Sequence, residues 1–225
     1  KAILKGEHPS GSRFPPERVL AERYGVSRST IREAVGMLAQ LGLVETVPQS
    51  GTYVGNYLTE GSLDLLLHIM KASETVDADV VLSLLEFRRM SEIFAVRKAV
   101  RNASGEETDR LRNIVERVRD PDADPRELAE ADYDLHFSLV EMAGNLVLQL
   151  LFNSFKPVYR FYADFFFRLP DAREITASQH ERFLQAFERG EEDAAASIME
   201  EALLYGEKRV CDALREDDII LRPLG

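Results

Sequence analysis

Arg18-Val19-Leu20-Ala21-Glu22-Arg23-Tyr24-Gly25-Val26-Ser27-Arg28-Ser29-Thr30-Ile31-Arg32-Glu33-Ala34-Val35-Gly36 decides the reading of the N-terminal part of the chain. Two helical patterns meet at a turn containing Gly25. Leu20, Ala21 and Tyr24 can form one apolar stripe, and Pro15 and Pro16 suit a helix start because proline lacks only an N–H that is unpaired there. Gly25 stands where a helix ends in a left-handed residue, and Ser27 is a good N-cap for the second helix. Ile31, Ala34, Val35 and Leu38 recur at helical spacing and predict the buried face of that helix. Arg28, Ser29, Thr30 and Arg32 fall on its outer side. Guanidiniums and hydroxyls at a helix N-terminus favour phosphate and base-edge contacts, as in the second helix of a helix-turn-helix.

The pattern then changes period. Leu43 to Val47 alternates and is β-branched, Pro48-Gln49-Ser50-Gly51 is a turn, and Thr52 to Val54 reads as a returning strand. A hairpin behind such a helix is a wing. The expected partner is double-stranded DNA.

Charge supports this. The 225 residues carry a net charge of −11, yet residues 1–57 hold seven Lys/Arg against five Asp/Glu, a balance of +2, leaving −13 for the rest. The basic character lies where DNA would dock, and the acidic remainder should face away from it. A hydrophobic fraction of 45% is that of a globular protein. No apolar run suits a membrane span or a signal peptide. Cys211 stands alone, so no internal disulfide can form, and a cytoplasmic location is expected. Lys1 falls inside an expected helix over Ala2, Ile3 and Leu4, so native residues are expected before it.

From Thr59 the chain reads as successive helices: 59–73, 77–102, 104–119, 125–144, 146–168, 172–189 and 191–215. Ser104 and Glu107 form a capping box; Gly144 and Gly190 are helix stops. The expected fold is mainly α, with an N-terminal winged helix-turn-helix and a C-terminal all-α helical bundle. The expected domains are 1–57 for DNA binding, 58–76 as a linker helix region, and 77–225 for effector binding and dimerisation.

Asp132 and His136 are four apart and project from one helix face; His180 lies on a later helix. One carboxylate and two imidazoles suit Zn, Ni, Mn or Fe. On these residues alone, a surface Asp–His pair and a structural histidine are the commoner readings. The aromatic run Tyr159, Phe161, Tyr162, Phe165, Phe166 and Phe167 suits core, a dimer interface or the lining of an acyl-chain cavity.

Residues 11–55 resemble the DNA-binding domain of the GntR family of bacterial transcription regulators. The resemblance rests on Phe14-Pro15-Pro16-Glu17-Arg18, on Val26 to Glu33, and on Gly51-Thr52-Tyr53-Val54. It implies DNA contacts from Arg18, Arg28, Ser29, Thr30 and Arg32, with the wing tip at Gln49, Ser50 and Gly51. The family usually has glycine where this chain has Gln49. Residues 60–215 resemble the all-helical FCD effector domain of the FadR-type branch, through Glu86-Phe87-Arg88 with Glu92, Asp132 with His136 and Ala143-Gly144-Asn145, and His180 with Phe183 and Ala186. This implies a divalent metal, Zn or Ni foremost, on Asp132, His136 and His180, with Ala202 where the family has a fourth ligand. It also implies an effector-binding Arg88, for which an internal ion pair with Glu92 is the alternative. A homodimer reading an inverted-repeat operator is expected, its effector a small carboxylate near the metal or, alternatively, a fatty acid or fatty acyl-CoA without metal. An enzyme using the same ligands is the remote alternative, and leaves the DNA-binding head unexplained.

Overall fold

The computed structural model describes residues 2–4, 6–62, 64–66, 68 and 78–216. The chain divides into two compact units, 1–73 and 74–225.

In the first unit, α1 (Glu17–Tyr24) and α2 (Arg28–Gln40) form the helical pair. Gly25 ends α1 with φ 66° and returns its N–H to Ala21 O, a conformation that costs glycine little and other residues about 1–2 kcal/mol. The Ser27 side chain accepts from Thr30 N at 3.2 Å and so caps α2. Strands β1 (Val44–Val47) and β2 (Gly51–Val54) pair antiparallel, Val44 opposite Val54 and Val47 opposite Gly51. Residues 11–14 run along the other edge of β2, with Phe14 N bonded to Thr52 O and Val54 N to Ser12 O. The short α3 (Tyr57–Glu60) follows. It packs so closely on Gly42 that a Cβ there would stand 2.1 Å from Glu60 O. Phe14, Leu20, Ile31, Val35, Leu43, Val44 and Val54 close the core with Leu65.

Three expectations change in this unit. Ala34 is exposed and Tyr24 is 62% exposed; so small a head meets only the ridge of Ile31, Val35 and half-buried Leu38. Residues 2–4 form a turn, not a helix, closed by Gly6 N on Ile3 O, with Gly6 at φ 75°. The helix expected over 59–73 begins instead as α3, ends at extended Gly61, and is helical again at Asp64, Leu65, Leu66 and His68. Residues 63, 67 and 69–73 lie outside the described residues, as does Asp77.

The regular structure among the described residues of the second unit is helix: α4 (Ala78–Asn102), α5 (Gly105–Arg119), α6 (Pro125–Met142), α7 (Leu146–Ser154), α8 (Lys156–Phe166), α9 (Ala172–Glu188) and α10 (Glu192–Glu216). Capping boxes open α5 at Ser104–Glu107 and α6 at Asp124–Glu127. The single helix expected over 146–168 is two. Phe155 separates them, and Pro157 opens α8, because proline in a helix interior lacks the N–H and clashes with the preceding turn.

The helix α6 lies against α4, α5, α7 and α8. It is therefore buried on nearly every side, with Leu128, Tyr133, Leu135, Leu139 and Val140 at or below 2% exposure. Each fully buried Leu side chain contributes about 1.5–3 kcal/mol. This enclosure carries two polar residues of α6, Asp132 and His136, into the interior. α10 packs along both α4 and α9.

Candidate functional site

In the first unit, the candidate DNA contacts are exposed, apart from half-buried Gly51, and differ in how they are held. Ser27 Oγ bonds both Ser29 Oγ (2.7 Å) and Thr30 Oγ1 (2.9 Å), so the hydroxyls form one cluster at the α2 N-terminus. Arg18 pairs with Glu22 one turn on, at 2.7 Å. Arg32 reaches back to α1, its Nη2 donating to Glu17 Oε2 at 3.1 Å and its Nε to both carboxylate oxygens. Arg28 makes no ion pair with any described residue. At the wing tip, Ser50 N bonds Val47 O, Pro48 takes the second position and Gln49 the third, at φ 64°. Proline followed by a positive φ is the type II pattern. Gln49 thus occupies a left-handed position, which explains the glycine expected there. Arg13 donates to Ser50 O at 2.7 Å and braces the tip.

In the second unit, Asp132, His136 and His180 come together. All three are buried, with donor atoms within 4.8 Å of one another. Asp132 Oδ1 stands 3.5 Å from Nε2 of each histidine. That edge is close to the separation of about 3.4 Å between ligands on a tetrahedral ion with bonds near 2.1 Å. Helical spacing aligns Asp132 with His136; only the packing of α9 brings in His180.

Arg88 of α4 enters the same site. Its Nε donates to Glu92 Oε1 at 2.6 Å, so the internal ion pair forms. Its Nη2 remains directed at the site, donating to Tyr159 Oη (2.7 Å) and lying 3.8 Å from Asp132 Oδ2. Tyr159 Oη donates onward to Asp132 Oδ2 at 2.5 Å. Glu92 Oε2 lies against His136 Nδ1. Glu92 and Tyr159 were not legible as site residues by spacing. Glu92 lies 44 residues before His136, and Tyr159 sits in an aromatic run that reads first as core.

Burial and charge set the protonation states. Burial pushes the Asp132 carboxyl up, but His136, Arg88 and His180 outweigh it and hold it well below the usual carboxylate range. Burial opposes ionisation of Glu92 too, and Arg88 with His136 keeps it charged. Burial pushes His136 down; Glu92 and Asp132 reverse this and raise it above the ordinary imidazole value. Burial, with His136 and Arg88 adding to it, outweighs Asp132 and lowers His180 to about 4, so it is neutral near pH 7.

The donor set fits a divalent ion. A carboxylate and a neutral imidazole face each other, and a second carboxylate backs the other nitrogen of His136, the outer support that metal-bound histidines use. Ala202 lines the same pocket and leaves its side open. The cavity volume is about 40 Å³, room for a few water-sized groups. Its wall is polar at Arg88, Asp132, His136 and His180, and apolar at Leu85, Phe166, Leu203 and Val210. Of the aromatic run, Tyr159, Tyr162, Phe166 and Phe167 pack in the core, as expected, and Tyr162 and Phe166 also line the pocket.

Comparison with known proteins agrees with both units. Residues 1–54 match the gntR family of bacterial regulatory proteins, and residues 83–204 match the FCD domain. The chain is 33% identical over 157 residues to the transcriptional regulator Mce2R of Mycobacterium tuberculosis, covering 70% of this chain and 65% of that protein. It is 31% identical over 175 residues to the fatty acid metabolism regulator protein of Shewanella denitrificans, covering 78% and 72%. Among solved structures, a GntR protein of Streptococcus agalactiae superposes with a TM-score of 0.53 at 25% identity, covering 92% of this chain and 93% of that one. No helix among the described residues is long and apolar enough to cross a membrane. The two sequence relatives are named as regulators, and the chain belongs to the GntR family, in the branch that carries an FCD domain.

Proposed function

We propose that this protein is a ligand-responsive transcriptional repressor that binds an inverted-repeat operator as a cytoplasmic homodimer, and that its effector is a small carboxylate bound beside a divalent metal. The observation that carries the effector reading is the buried Asp132–His136–His180 triangle with Arg88 Nη2 beside it. Asp132, His136 and His180 would hold the ion, Zn or Ni by donor type. When bound, the ion supplies positive charge to which an anion can be drawn. His136 must give up its proton to coordinate, so the filled site carries surplus positive charge, which a carboxylate neutralises. Arg88 presents the second cationic contact.

On the DNA side, Arg28 is free to contact the operator, with Arg18, Ser29, Thr30 and Arg32 around it and Gln49, Ser50 and Gly51 at the wing. A two-fold dimer supplies two such heads to two half-sites. Effector binding shifts the population of head arrangements and so lowers operator affinity.

A second reading has a specific observation behind it. The wall formed by Leu85, Phe166, Leu203 and Val210 suits an acyl chain, and relatives are named fatty acid metabolism regulators. The cavity volume of about 40 Å³ favours the smaller ligand. Elemental analysis and native mass spectrometry of the purified protein separate the two. Metal with a small acid supports the first; an acyl compound without metal replaces it. Light scattering that finds only the 25.5 kDa species with operator DNA present removes the inverted-repeat dimer.

A further inference from the structure

Arg13 stands at the wing, outside the set of candidate DNA contacts. It lies on the extended segment beside β2, opposite Tyr53, and Glu45 faces Tyr53 from β1. Residues opposite one another in antiparallel pairing share a face, so Arg13, Tyr53 and Glu45 stand on one side of the hairpin. Their chain neighbours Phe14, Val44 and Val54 point the other way, into the core.

From this outer face the Arg13 guanidinium reaches the wing tip. Its Nη2 donates to Ser50 O at 2.7 Å. It lies across Gly51, where a Cβ would stand 3.1 Å from both Nε and Nη2. Glycine at 51 therefore makes room for the guanidinium, besides allowing the φ of 129°. Ser50 Oγ and Tyr53 Oη, 2.7 Å apart, tie the same end of the hairpin.

Bracing the tip uses one of five N–H donors. Among the described residues Arg13 makes no other hydrogen bond and no ion pair, whereas Arg18 and Arg32 are each paired with a glutamate. The side chain is exposed. A brace needs a donor but not a permanent charge. Charge and a planar fork of N–H groups match a phosphate, which accepts two parallel hydrogen bonds. While Nη2 holds Ser50 O, the side chain cannot extend to the floor of a groove. It presents its free edge at the flank of the wing, where the sugar-phosphate chain borders whichever groove the tip enters.

Resting on the reading that this unit binds DNA through α2 and the wing, we propose that Arg13 is a further DNA contact, gripping a backbone phosphate beside the wing tip. Phosphate contacts fix position and carry no sequence information directly. Arg13 therefore contributes affinity for any duplex and sets how the wing sits on it.

Fluorescence anisotropy of the full chain, with an operator and with a random-sequence duplex over a series of salt concentrations, tests this. Arg13→Gln keeps an amide donor for Ser50 O and removes the charge. It is expected to weaken binding to both duplexes by the same factor and to reduce the salt slope by about one per head. The advantage of the parent then shrinks about threefold per head between about 50 and 200 mM salt. Arg13→Lys keeps the charge and is expected to keep the slope. Loss of wing stability lowers affinity without changing the number of phosphates neutralised, so a slope in Arg13→Gln equal to that of the parent makes Arg13 a brace alone and overturns the proposal. A loss confined to the operator overturns it in favour of a base contact. A parent that binds neither duplex overturns the DNA reading as well.

Discussion

Glu92 and His136 face each other in the interior of the helical unit, Glu92 Oε2 against His136 Nδ1, while the opposite ring nitrogen, Nε2, stands 3.5 Å from Asp132. The histidine is thus fixed in orientation, with one nitrogen supported and the other offered to the site. Glu92 has a second duty, because its other oxygen binds Arg88. One carboxylate therefore orients both a metal-ligand candidate and the cation beside it.

Replacing that carboxylate should affect binding and folding together. Glu92→Gln keeps the shape and loses the charge. Metal affinity is expected to fall 10–100-fold, the usual effect of losing a carboxylate behind a ligand histidine. Glu92→Ala also leaves Arg88 short of its partner and should destabilise by about 3–5 kcal/mol, as for breaking a buried ion pair. Titration with Zn or Ni and chemical denaturation measure the two effects. Metal affinity unchanged in Glu92→Gln would show that Glu92 does not support His136.

The recognition-helix arginines should not be equivalent. Arg28→Ala removes a guanidinium that has no ion pair among the described residues and is expected to weaken operator binding by about 1–3 kcal/mol if it reads a base edge. Arg32 must first leave Glu17, so part of its contact energy offsets a lost, exposed ion pair. Glu17→Gln is therefore expected to tighten binding to random-sequence DNA relative to operator DNA. Fluorescence anisotropy at fixed salt checks all three. Equal losses in both arginine variants with no effect of Glu17→Gln would remove Glu17 from the account.

At the wing tip, Gln49 carries a backbone cost at φ 64°. Gln49→Gly should relieve about 1–2 kcal/mol of conformational strain. It also gives up roughly 0.4–1 kcal/mol by loosening the unfolded chain. A small net gain is expected, visible as a raised denaturation midpoint of the DNA-binding unit. A lowered midpoint would mean that the Gln49 side chain contributes more than its backbone costs.

Local rules explain the features legible from sequence. The Ser27 cap, the left-handed Gly25, the wing strands and the Ser104–Glu107 box each follow from a few neighbouring residues. Asp132 and His136 were legible as a pair for the same reason. His180 joined them through family resemblance, because no spacing connects α6 to α9. The roles of Glu92 and Tyr159 depend on helix packing, which brings residues of α4 and α8 against α6. The reading of 146–168 as one helix failed at Pro157, a breaker outweighed by the apolar periodicity around it.

Acid should weaken the metal-free helical unit partly through His180. Its folded-state pKa, about 4, lies below the ordinary 6.5. Between those values the unfolded chain binds a proton that the folded one refuses, so stability falls as pH drops from about 6.5 towards 4. The contribution is at most about 3 kcal/mol. His136 has the opposite sign: its raised pKa stabilises below the unfolded value and loses that contribution as pH rises through the folded one. Denaturation midpoints of His180→Asn should therefore fall less steeply than the parent between pH 6.5 and 4. A parallel fall would mean that His180 is not held neutral by burial.

Ala202 lines the pocket together with Asp132, His136 and His180, at the position where a fourth ligand is expected by family resemblance. A methyl group there leaves a coordination position for water or for an effector carboxylate. Ala202→His should fill it. Metal affinity is then expected to rise, and thermal stability with it, since a ligand that binds only the folded state stabilises it by mass action. Carboxylate affinity should fall, because the added imidazole occupies both the coordination position and part of a cavity of about 40 Å³. Metal titration and carboxylate titration of the same variant read the two outcomes separately. Metal and carboxylate affinities that rise together would place the carboxylate away from the ion, on Arg88 alone.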